Sequence, residues 1–411
     1  MEDWRNIKLG EISKIQTGPF GSQLHQSDYV QEGVPCIMPV NISSSLSLNC
    51  EGIAKVSEID AKRLSRHRVR YGDIVYSRRG DIERCAFIDD RYVGWLCGTG
   101  CLKVGDFSET VNPKFIALSL SLPKSRAWLV SNAVGTTMLN LNTSILGDLP
   151  LRVPSLKTQT EIVNIIESLD DKIELNNQIN HNLEQQAQAL YKSWFVDFEP
   201  FKDEEFINSE LGLIPKGWDV KSLGDIATIL KNTINPKKSE GAIFHHYSIP
   251  AFDNSESPEE QYGSEILSNK FIITDNTILF SKLNPRIKRV WNVFSAKENA
   301  VCSTEFVAYK AKEKKNYAFL YSVIAGDNFY NEIMSKVNGA TGSHQRFHPE
   351  ETLSIKIPYN AYAMMRFENA VLPIIRLMDI NKQETASLKA ERDSVLPRLL
   401  SGELEINKID C

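Results

Sequence analysis

The chain has 411 residues, of which 42% are hydrophobic and 24% are charged, and its net charge is −5. This is an ordinary composition for a globular protein of about two or three domains, and the net negative charge at first argues against a nucleic-acid partner. No apolar run reaches the roughly 20 residues that a membrane span needs, and the N-terminus is charged where a secretory signal would be apolar, so we expect a cytoplasmic protein.

The negative charge is concentrated in the middle of the chain. Counting lysine and arginine against aspartate and glutamate gives +2 for residues 1–153, −7 for 154–217, +1 for 218–357 and −1 for 358–411. The acidic segment would repel DNA, so we expect it to face protein. The two larger segments are nearly neutral, and local basic clusters within them can still meet phosphates.

Residues 1–153 contain strand-like apolar runs separated by turn-rich and basic stretches. TGPFGSQL is rich in turn residues, and the basic stretches KRLSRHRVR and SRRGDIER lie on either side of one apolar run. Arginine and lysine presented from loops of a rigid sheet suit phosphate contacts and bidentate reading of guanine, although a single cluster could equally be a solvated loop. The candidate DNA contacts in this segment are Thr17, Gly18, Phe20, Ser22, Gln23, Arg68, Arg70, Arg78, Arg79, Arg84, Thr136 and Asn140.

The seven cysteines are odd in number and scattered along the chain. This pattern favours free thiols in a reducing compartment over a disulfide framework. Only Cys97 and Cys101 are close enough in sequence to suggest a metal. Because no second cysteine or histidine pair follows at ligand spacing, we predict no metal site.

The pattern changes to a helical one after Pro154. Apolar residues recur every seven positions along this segment, which we expect to be helical from about Thr158 to about Trp194, a length on the order of 55 Å. The predicted seam positions of this helix are Ile162, Leu169, Asn176, Leu183 and Leu190.

A second copy of the same plan begins after this helix. SELGLIPKGWDVKSLGDI, residues 209–226, repeats the spacing of the chain's own start, because Trp218 and Leu223 are spaced as Trp4 and Leu9 are. Internal repeats of this kind decide the architecture of a chain. We therefore expect two related globular halves.

The repeat continues at an offset of 204 residues. GDIVYSRRG, residues 72–80, corresponds to NTILFSKLN, residues 276–284, and LPLRVP, residues 149–154, corresponds to LSIKIP, residues 353–358. Basic residues follow the apolar run in both copies, which favours a shared function over two unrelated solvated loops. The candidate DNA contacts in the second copy are Lys282, Asn284, Arg286, Lys288, Arg289, Ser343, His344, Gln345 and Arg346.

A second heptad pattern follows the second copy. Its predicted seam contains Ile374, Asn381, Leu388 and Val395, and Pro373 should kink the helix or begin it. Asn176 and Asn381 hold the same seam position, where a buried asparagine commonly fixes register. The alternative is that each amphipathic helix packs only on its own half.

These patterns predict five segments. We expect globular domains at residues 1–153 and 218–357, a central helix at 154–197, a linker at 198–217, and a distal helix with a tail at 358–411.

Catalytic motifs are missing from the sequence. It contains no GxxxxGK followed by Ser or Thr, no GxGxxG after a strand, no GxSxG and no HExxH. The tetrad of amino-methyltransferases, Asn or Asp followed by two prolines and an aromatic residue, is also absent. We therefore predict a protein that binds rather than one that catalyses.

Five stretches resemble the specificity subunit of type I restriction-modification enzymes, in the order that this family has them. They are QTGPFGSQL, LPLRVPSLKTQTEIV, LYKSWFVDFEP, SELGLIPKGWDVKSLGDI and RLLSGELE. The resemblance implies an α+β fold, with two pseudo-symmetric α/β target-recognition domains separated by two long antiparallel coiled-coil helices. It does not carry over base-contacting residues, because these vary with the DNA site.

The resemblance also implies a function. Each domain would read one half of a split double-stranded DNA site, and the helices would dock two methyltransferase subunits, joined by restriction and translocase subunits. The chain itself would be non-catalytic in a complex that acts as an adenine-specific methyltransferase and ATP-dependent endonuclease. S-adenosylmethionine, ATP and Mg would belong to the partners, and the chain itself would have no cofactor. The alternatives are a modification-only complex and a duplicated coiled-coil scaffold that does not touch DNA.

Overall fold

The computed structural model describes residues 4–43, 45–135, 138–337 and 346–404. These residues form two compact units, of which unit 1 is drawn from Met1–Asp171 and Lys389–Cys411 and unit 2 from Lys172–Leu388. Among the described residues, no helix is both long enough and apolar enough to cross a membrane.

The strands and helices of the first half follow one another in this order: β1 (Arg5–Lys8), α1 (Leu9–Ile12), β2 (Lys14–Thr17), β3 (Tyr29–Val30), β4 (Val34–Ile37), β5 (Ala54–Val56), α2 (Glu58–Arg63), β6 (Ile74–Ser77), β7 (Cys85–Phe87), β8 (Leu96–Cys97), β9 (Cys101–Gly105), α3 (Pro113–Ser121), α4 (Pro123–Asn132), α5 (Thr143–Gly147), β10 (Pro150–Val153) and the long helix α6 (Leu156–Phe195).

The remaining elements follow in this order: β11 (Phe206–Ser209), β12 (Gly212–Pro215), β13 (Asp219–Ser222), α7 (Leu223–Ile226), β14 (Ala227–Ile229), β15 (Thr233–Ile234), β16 (Ile243–Tyr247), α8 (Ile249–Ser255), β17 (Glu259–Tyr262), β18 (Lys270–Ile272), β19 (Thr277–Ser281), β20 (Val290–Val293), β21 (Ala300–Ser303), β22 (Phe306–Ala311), α9 (Tyr317–Ala325), α10 (Asp327–Ser335), α11 (Pro349–Thr352), β23 (Lys356–Tyr359) and the long helix α12 (Ala361–Ser401).

The two halves share a sheet topology. Unit 1 has an antiparallel sheet in the order β2-β9-β6-β7, and unit 2 has the equivalent order β14-β22-β19-β20. Each unit has a second sheet with one parallel pair, β4 with β8 in unit 1 and β16 with β21 in unit 2. A two-stranded ladder closes each half, β1 with β10 and β13 with β23. This duplication confirms the predicted α+β class with two related halves.

The central strands β6 and β19 are buried on both faces. In β6, Ile74 and Tyr76 pack in the core that includes α3, whereas Val75 packs in the core beneath the second sheet. In β19, Ile278 lies in the core that includes α9 and Leu279 in the core beneath the second sheet. Side chains alternate across a strand, so a strand covered on both faces needs apolar residues at consecutive positions.

The closing strands correct the predicted offset. The N–H of Leu9 donates to the carbonyl of Leu149, and the N–H of the equivalent Leu223 donates to the carbonyl of Ile355. Leu149 therefore corresponds to Ile355, and strands β10 and β23 are 206 residues apart, not 204. A shift of two residues keeps every strand side chain on the same face, so the apolar pattern alone cannot detect it.

The long helices are 40 and 41 residues in length. Helix α12 begins at Ala361, so Pro373 does not begin it. Pro373 is exposed inside the helix, where it removes one backbone hydrogen bond. All nine predicted seam residues are buried or half-buried.

Asparagines join α6 to α12 within unit 2. The Asn381 side chain donates to Asn180 Oδ1 at 2.9 Å, and the Asn176 side chain donates to Glu384 Oε2 at 2.8 Å. Asn180 also donates to the carbonyl of Met378 at 3.1 Å. Rising numbers on α6 meet falling numbers on α12, so these segments are antiparallel. The two predicted seam asparagines thus have different partners rather than each other.

Each long helix also binds the N-terminus of a helix in its own unit. In unit 1, the side-chain oxygen of Gln159 accepts the N–H of Asn112, which precedes α3, at 2.8 Å. In unit 2, the carboxylate of Glu368 accepts the N–H groups of Ala318 and Phe319 in the first turn of α9, at 2.9 to 3.2 Å. These contacts satisfy donors that a helix N-terminus otherwise leaves without a partner.

Glu368 should make stability depend on pH. Burial raises its pKa from 4.5 to about 7, although the backbone N–H groups that it accepts oppose the shift. A raised pKa in the folded state means that the contribution is complete below about pH 4.5 and is lost as pH rises through 7. We expect Glu368→Gln, which stays neutral, to remove up to about 3 kcal/mol of this pH dependence.

Urea denaturation of both proteins at pH 5 to 8 measures this effect. Glu391→Gln, at an exposed position on the same helix, is the matched control and should keep the native pH profile. If the free energy of unfolding changes with pH equally in the native protein and in Glu368→Gln, the prediction is contradicted.

Candidate nucleic-acid interface

A tight turn follows β6 in unit 1. The Ser77 hydroxyl donates to the carbonyl of Arg79 at 3.0 Å, and Gly80 has a φ of +76°, a conformation that glycine adopts without strain. The N–H of Arg78 donates to the carbonyl of Gly100 at 2.8 Å. The turn is therefore fixed from both sides, and the Arg79 side chain lies exposed.

Two further loops contact this turn or the segment next to it. The N–H of Gly80 donates to the carbonyl of Leu139, and the N–H of Leu141 donates to the carbonyl of Arg78. The Thr99 hydroxyl donates to the carbonyl of Pro19 at 3.0 Å. Residues 17–23, 78–80, 98–100, 134–135 and 138–141 consequently meet at one end of the sheet, and we call them the unit 1 loop cluster.

Gly18 permits a close approach within this cluster. A Cβ on Gly18 would lie 2.0 Å from the carbonyl oxygen of Gly98, so no larger residue fits without moving the backbone. The N–H of Gly18 also donates to the carbonyl of Cys101 at 2.9 Å. Gly18 therefore shapes the cluster through its small size.

Apolar side chains are exposed on the unit 1 loop cluster. Phe20, a predicted DNA contact, is 57% exposed. Met138 and Val134, which belong to no predicted motif, are 63% and 62% exposed. No sequence pattern distinguishes Met138 and Val134 from ordinary loop residues, and only the fold places them in the cluster. Exposed apolar side chains beside arginines can stack on bases or wedge between them.

Among the other unit 1 candidates, Arg68 and Arg70 lie away from the loop cluster. Arg68 donates to the carbonyls of Ala61 and Gly94 and pairs with Glu58, while Arg70 pairs with Asp106. Both precede β6, at the end opposite the turn, so the structure does not bring them to the cluster. Arg84 pairs with Asp81 near the turn, Thr17 ends β2, Ser22 is exposed, and the carbonyl of Gln23 accepts from Arg63.

Unit 2 repeats the turn of unit 1. The Ser281 hydroxyl donates to the carbonyl of Leu283 at 3.0 Å, and Asn284 has a φ of +46°. The N–H of Lys282 donates to the carbonyl of Glu305 at 2.9 Å, as that of Arg78 does to Gly100. The same serine, followed by different residues, thus builds the same backbone shape at the end of the equivalent strand.

The structure corrects the prediction that Arg289 contacts DNA. Its guanidinium forms two hydrogen bonds with the carboxylate of Asp253, at 2.6 and 2.8 Å, and the residue is buried. A buried arginine paired in this way cannot reach a base edge without breaking a charge-assisted contact, so it is left out of the proposed interface.

The remaining basic residues of this stretch lie at the surface. Lys288 pairs with Asp327 at 3.1 Å and lies over the ring of Tyr330, whose hydroxyl donates to the carbonyl of Arg286. The side chain of Arg286 is exposed. The remaining candidates, Thr136, Ser343, His344 and Gln345, lie outside the described residues.

The cysteines that the structure describes are free thiols, and all except Cys50 are buried. Burial raises the pKa of Cys36 to about 12 and also raises the pKa of Cys97 and Cys101. Among the described residues, no group of three or more His, Cys, Asp or Glu side chains could hold a metal ion. Protonated, buried thiols pack as small apolar side chains.

Comparisons with known proteins bear on both halves. A family model described as type I restriction modification DNA specificity domain matches residues 1–185 and 215–361. The type I restriction enzyme MjaIX specificity subunit of Methanocaldococcus jannaschii is 30% identical, over 99% of this chain and 95% of the relative. The HindI specificity subunit of Haemophilus influenzae is 32% identical over 49% of this chain and 43% of the relative.

A solved structure supports the fold. The crystal structure of the S subunit of a type I restriction-modification system from M. genitalium aligns with a TM-score of 0.59, covering 97% of this chain and 96% of that one, at 15% identity. At this identity the likeness concerns the fold alone. Since the family model covers both halves and a relative is 30% identical over nearly the whole length, this chain belongs to the family of type I restriction-modification specificity subunits.

Proposed function

We propose that this chain recognises a bipartite double-stranded DNA site, with one half-site read by each unit, and docks methyltransferase and restriction subunits. The observation that carries the proposal is the repeated turn, which ends the central strand of each unit and presents basic side chains. A rigid sheet that holds variable loops is a common platform for binding residues. Family membership supports the proposal independently.

The outer face of α12 supports the docking of protein partners. Tyr362, Met365, Leu377 and Ile380 are exposed, with Tyr362 at 63% and Ile380 at 60%. At 3.6 residues per turn they lie within an arc of about 120° around the helix. A cluster of exposed large apolar side chains on one helix face is typical of a protein interface. We assign this face to a methyltransferase subunit.

A methylation map tests the DNA assignment. The chain is expressed with its methyltransferase subunit, and methylated adenines are located in the host genome. We expect two short specific sequences separated by non-specific base pairs of one fixed number. A single continuous target, or several spacer lengths, would contradict the bipartite proposal.

Salt dependence separates this proposal from a scaffold without DNA binding, which the exposed apolar face would also suit. Binding of the chain with its methyltransferase to duplex DNA should weaken steeply as salt rises from 50 to 200 mM. Binding to the methyltransferase alone should change far less. A complex without measurable DNA affinity at low salt would favour the scaffold.

Alanine substitutions test the two turns. We expect Arg78→Ala with Arg79→Ala, or Lys282→Ala with Arg286→Ala, to weaken DNA binding by about 1–3 kcal/mol for each lost base contact. A lost phosphate contact should weaken binding equally on all sequences. Competition binding with specific and random duplexes distinguishes the two. If all four changes leave binding and methylation unaltered, the turns are not the interface.

A further inference from the structure

An arginine–glutamate pair lies beside the unit 2 turn. Arg346 donates through Nε and Nη2 to the two carboxylate oxygens of Glu305, both at 3.1 Å. The carbonyl of Glu305 accepts the N–H of Lys282 in the turn, which places the pair next to it. In unit 1 the equivalent carbonyl belongs to Gly100, which has no side chain that could form such a pair.

The pair is positioned and accessible. The N–H of Glu305 donates to the Ser303 hydroxyl at 3.2 Å, which helps to fix the glutamate. The side chain of Arg346 is 48% exposed and that of Glu305 is 30% exposed. An arginine held by a carboxylate loses less conformational freedom on binding than an unrestrained one, because its guanidinium plane is already oriented.

The contacts leave one edge of the guanidinium available to a ligand. Of the five N–H donors of arginine, Nε and one donor of Nη2 point to Glu305. The remaining Nη1 and Nη2 donors form a parallel pair on the next edge. Two parallel donors match the O6 and N7 acceptors that guanine presents in the major groove.

The charge of the pair argues against a DNA phosphate as the ligand of the free guanidinium edge of Arg346. Attraction to phosphate depends on net positive charge, and the carboxylate of Glu305 offsets the charge of Arg346. Directional hydrogen bonding is kept when the charge is offset. A paired arginine is therefore better suited to reading a base edge than to binding the backbone.

We propose that Arg346, oriented by Glu305, reads a guanine in the half-site recognised by unit 2. This inference rests on the proposed function. In unit 1, Asn140 corresponds to Arg346 at the offset of 206 seen for the closing strands, and it forms a β-bridge with Arg79. The guanine assignment is therefore confined to unit 2.

The test uses the assembled complex with its methyltransferase and a set of duplexes in which each position of the target is changed in turn. The unit 2 half-site is the one that stays unchanged when residues 1–153 are exchanged for those of a relative. We expect the native complex to prefer a G·C pair at one position of that half-site by about ten- to a hundredfold. Arg346→Ala should reduce this preference to nearly one and leave the other positions unaltered.

Matched variants separate base reading from loss of structure. Arg91 forms the same kind of pair with Asp89, at the opposite end of the unit 1 sheet from the turn, so Arg91→Ala should not change the preference. Glu305→Gln should lower the preference at the same position only, while Arg346→Lys, which keeps the charge, should still lose most of it. Thermal melting of each variant checks the fold.

The outcomes distinguish the two proposals. A native complex without any sequence preference overturns both the proposed function and the guanine assignment. A specific target whose unit 2 half-site requires no G·C pair overturns the guanine assignment alone. So does an Arg346→Ala complex that loses affinity equally on every duplex, since this would indicate a phosphate contact.

Discussion

Insertion of seven residues between Asp171 and Lys172 should reduce site-specific methylation by at least about a hundredfold. Asp170 pairs with Arg392, and Lys172 pairs with Glu384. An insertion between the two pairs lengthens α6 by about 10 Å, so an unaltered α12 cannot form both. If the Asp170–Arg392 pair is the one kept, the buried asparagines of the seam lose their partners, at a cost of about 1–3 kcal/mol for each unsatisfied group.

A compensating insertion is the matched control. Seven further residues between Leu388 and Lys389 lengthen α12 equally and allow both sets of pairs to form. One heptad changes the helical phase by only about 20°. We expect the doubly extended protein to regain activity on a target whose spacer is about three base pairs longer, since each base pair rises 3.4 Å. A single insertion with an unchanged target would refute this explanation.

Exchange of residues 1–153 for those of a relative should change one half of the recognised sequence completely and leave the other half intact. The unit 1 loop cluster lies entirely within the exchanged residues, whereas the unit 2 turn at 281–284 lies entirely outside them. The exchange thus replaces all the proposed DNA contacts of unit 1 and leaves those of unit 2 unaltered.

The reciprocal exchange of residues 218–357 is the control for this experiment, and it should change the opposite half-site. Methylation maps of the two hybrids can be compared position by position with the native map. If either hybrid alters both half-sites, the units read DNA jointly and the modular assignment is wrong.

The repeated plan was predictable from sequence because it depends on apolar periodicity. The consecutive apolar residues of β6 and β19 reflect burial on both faces, and the heptads of α6 and α12 reflect a buried seam. Such patterns survive in the order of residues. The offset of 206 at the closing strands was not predictable, because a shift of two residues leaves strand alternation unchanged.

The candidate interface was only partly predictable. The basic residues of the two turns could be located, because they follow a recognisable strand in each copy. The sequence position of an arginine does not show whether its side chain is free to contact DNA. Asp253, which pairs with Arg289, is 36 residues away in sequence. Similarly, Glu305 is 41 residues from Arg346, and nothing local connects them.

The helix-end contacts of Gln159 and Glu368 have a consequence for how new specificities arise. Both residues lie outside the segments whose exchange should transfer specificity, yet each bonds to backbone N–H groups inside such a segment. Backbone groups are supplied by any incoming sequence that keeps the helix. Recombination between related genes can therefore replace a whole half while the anchoring side chain stays behind, so viable hybrids need share only this acceptor and the apolar surface around it.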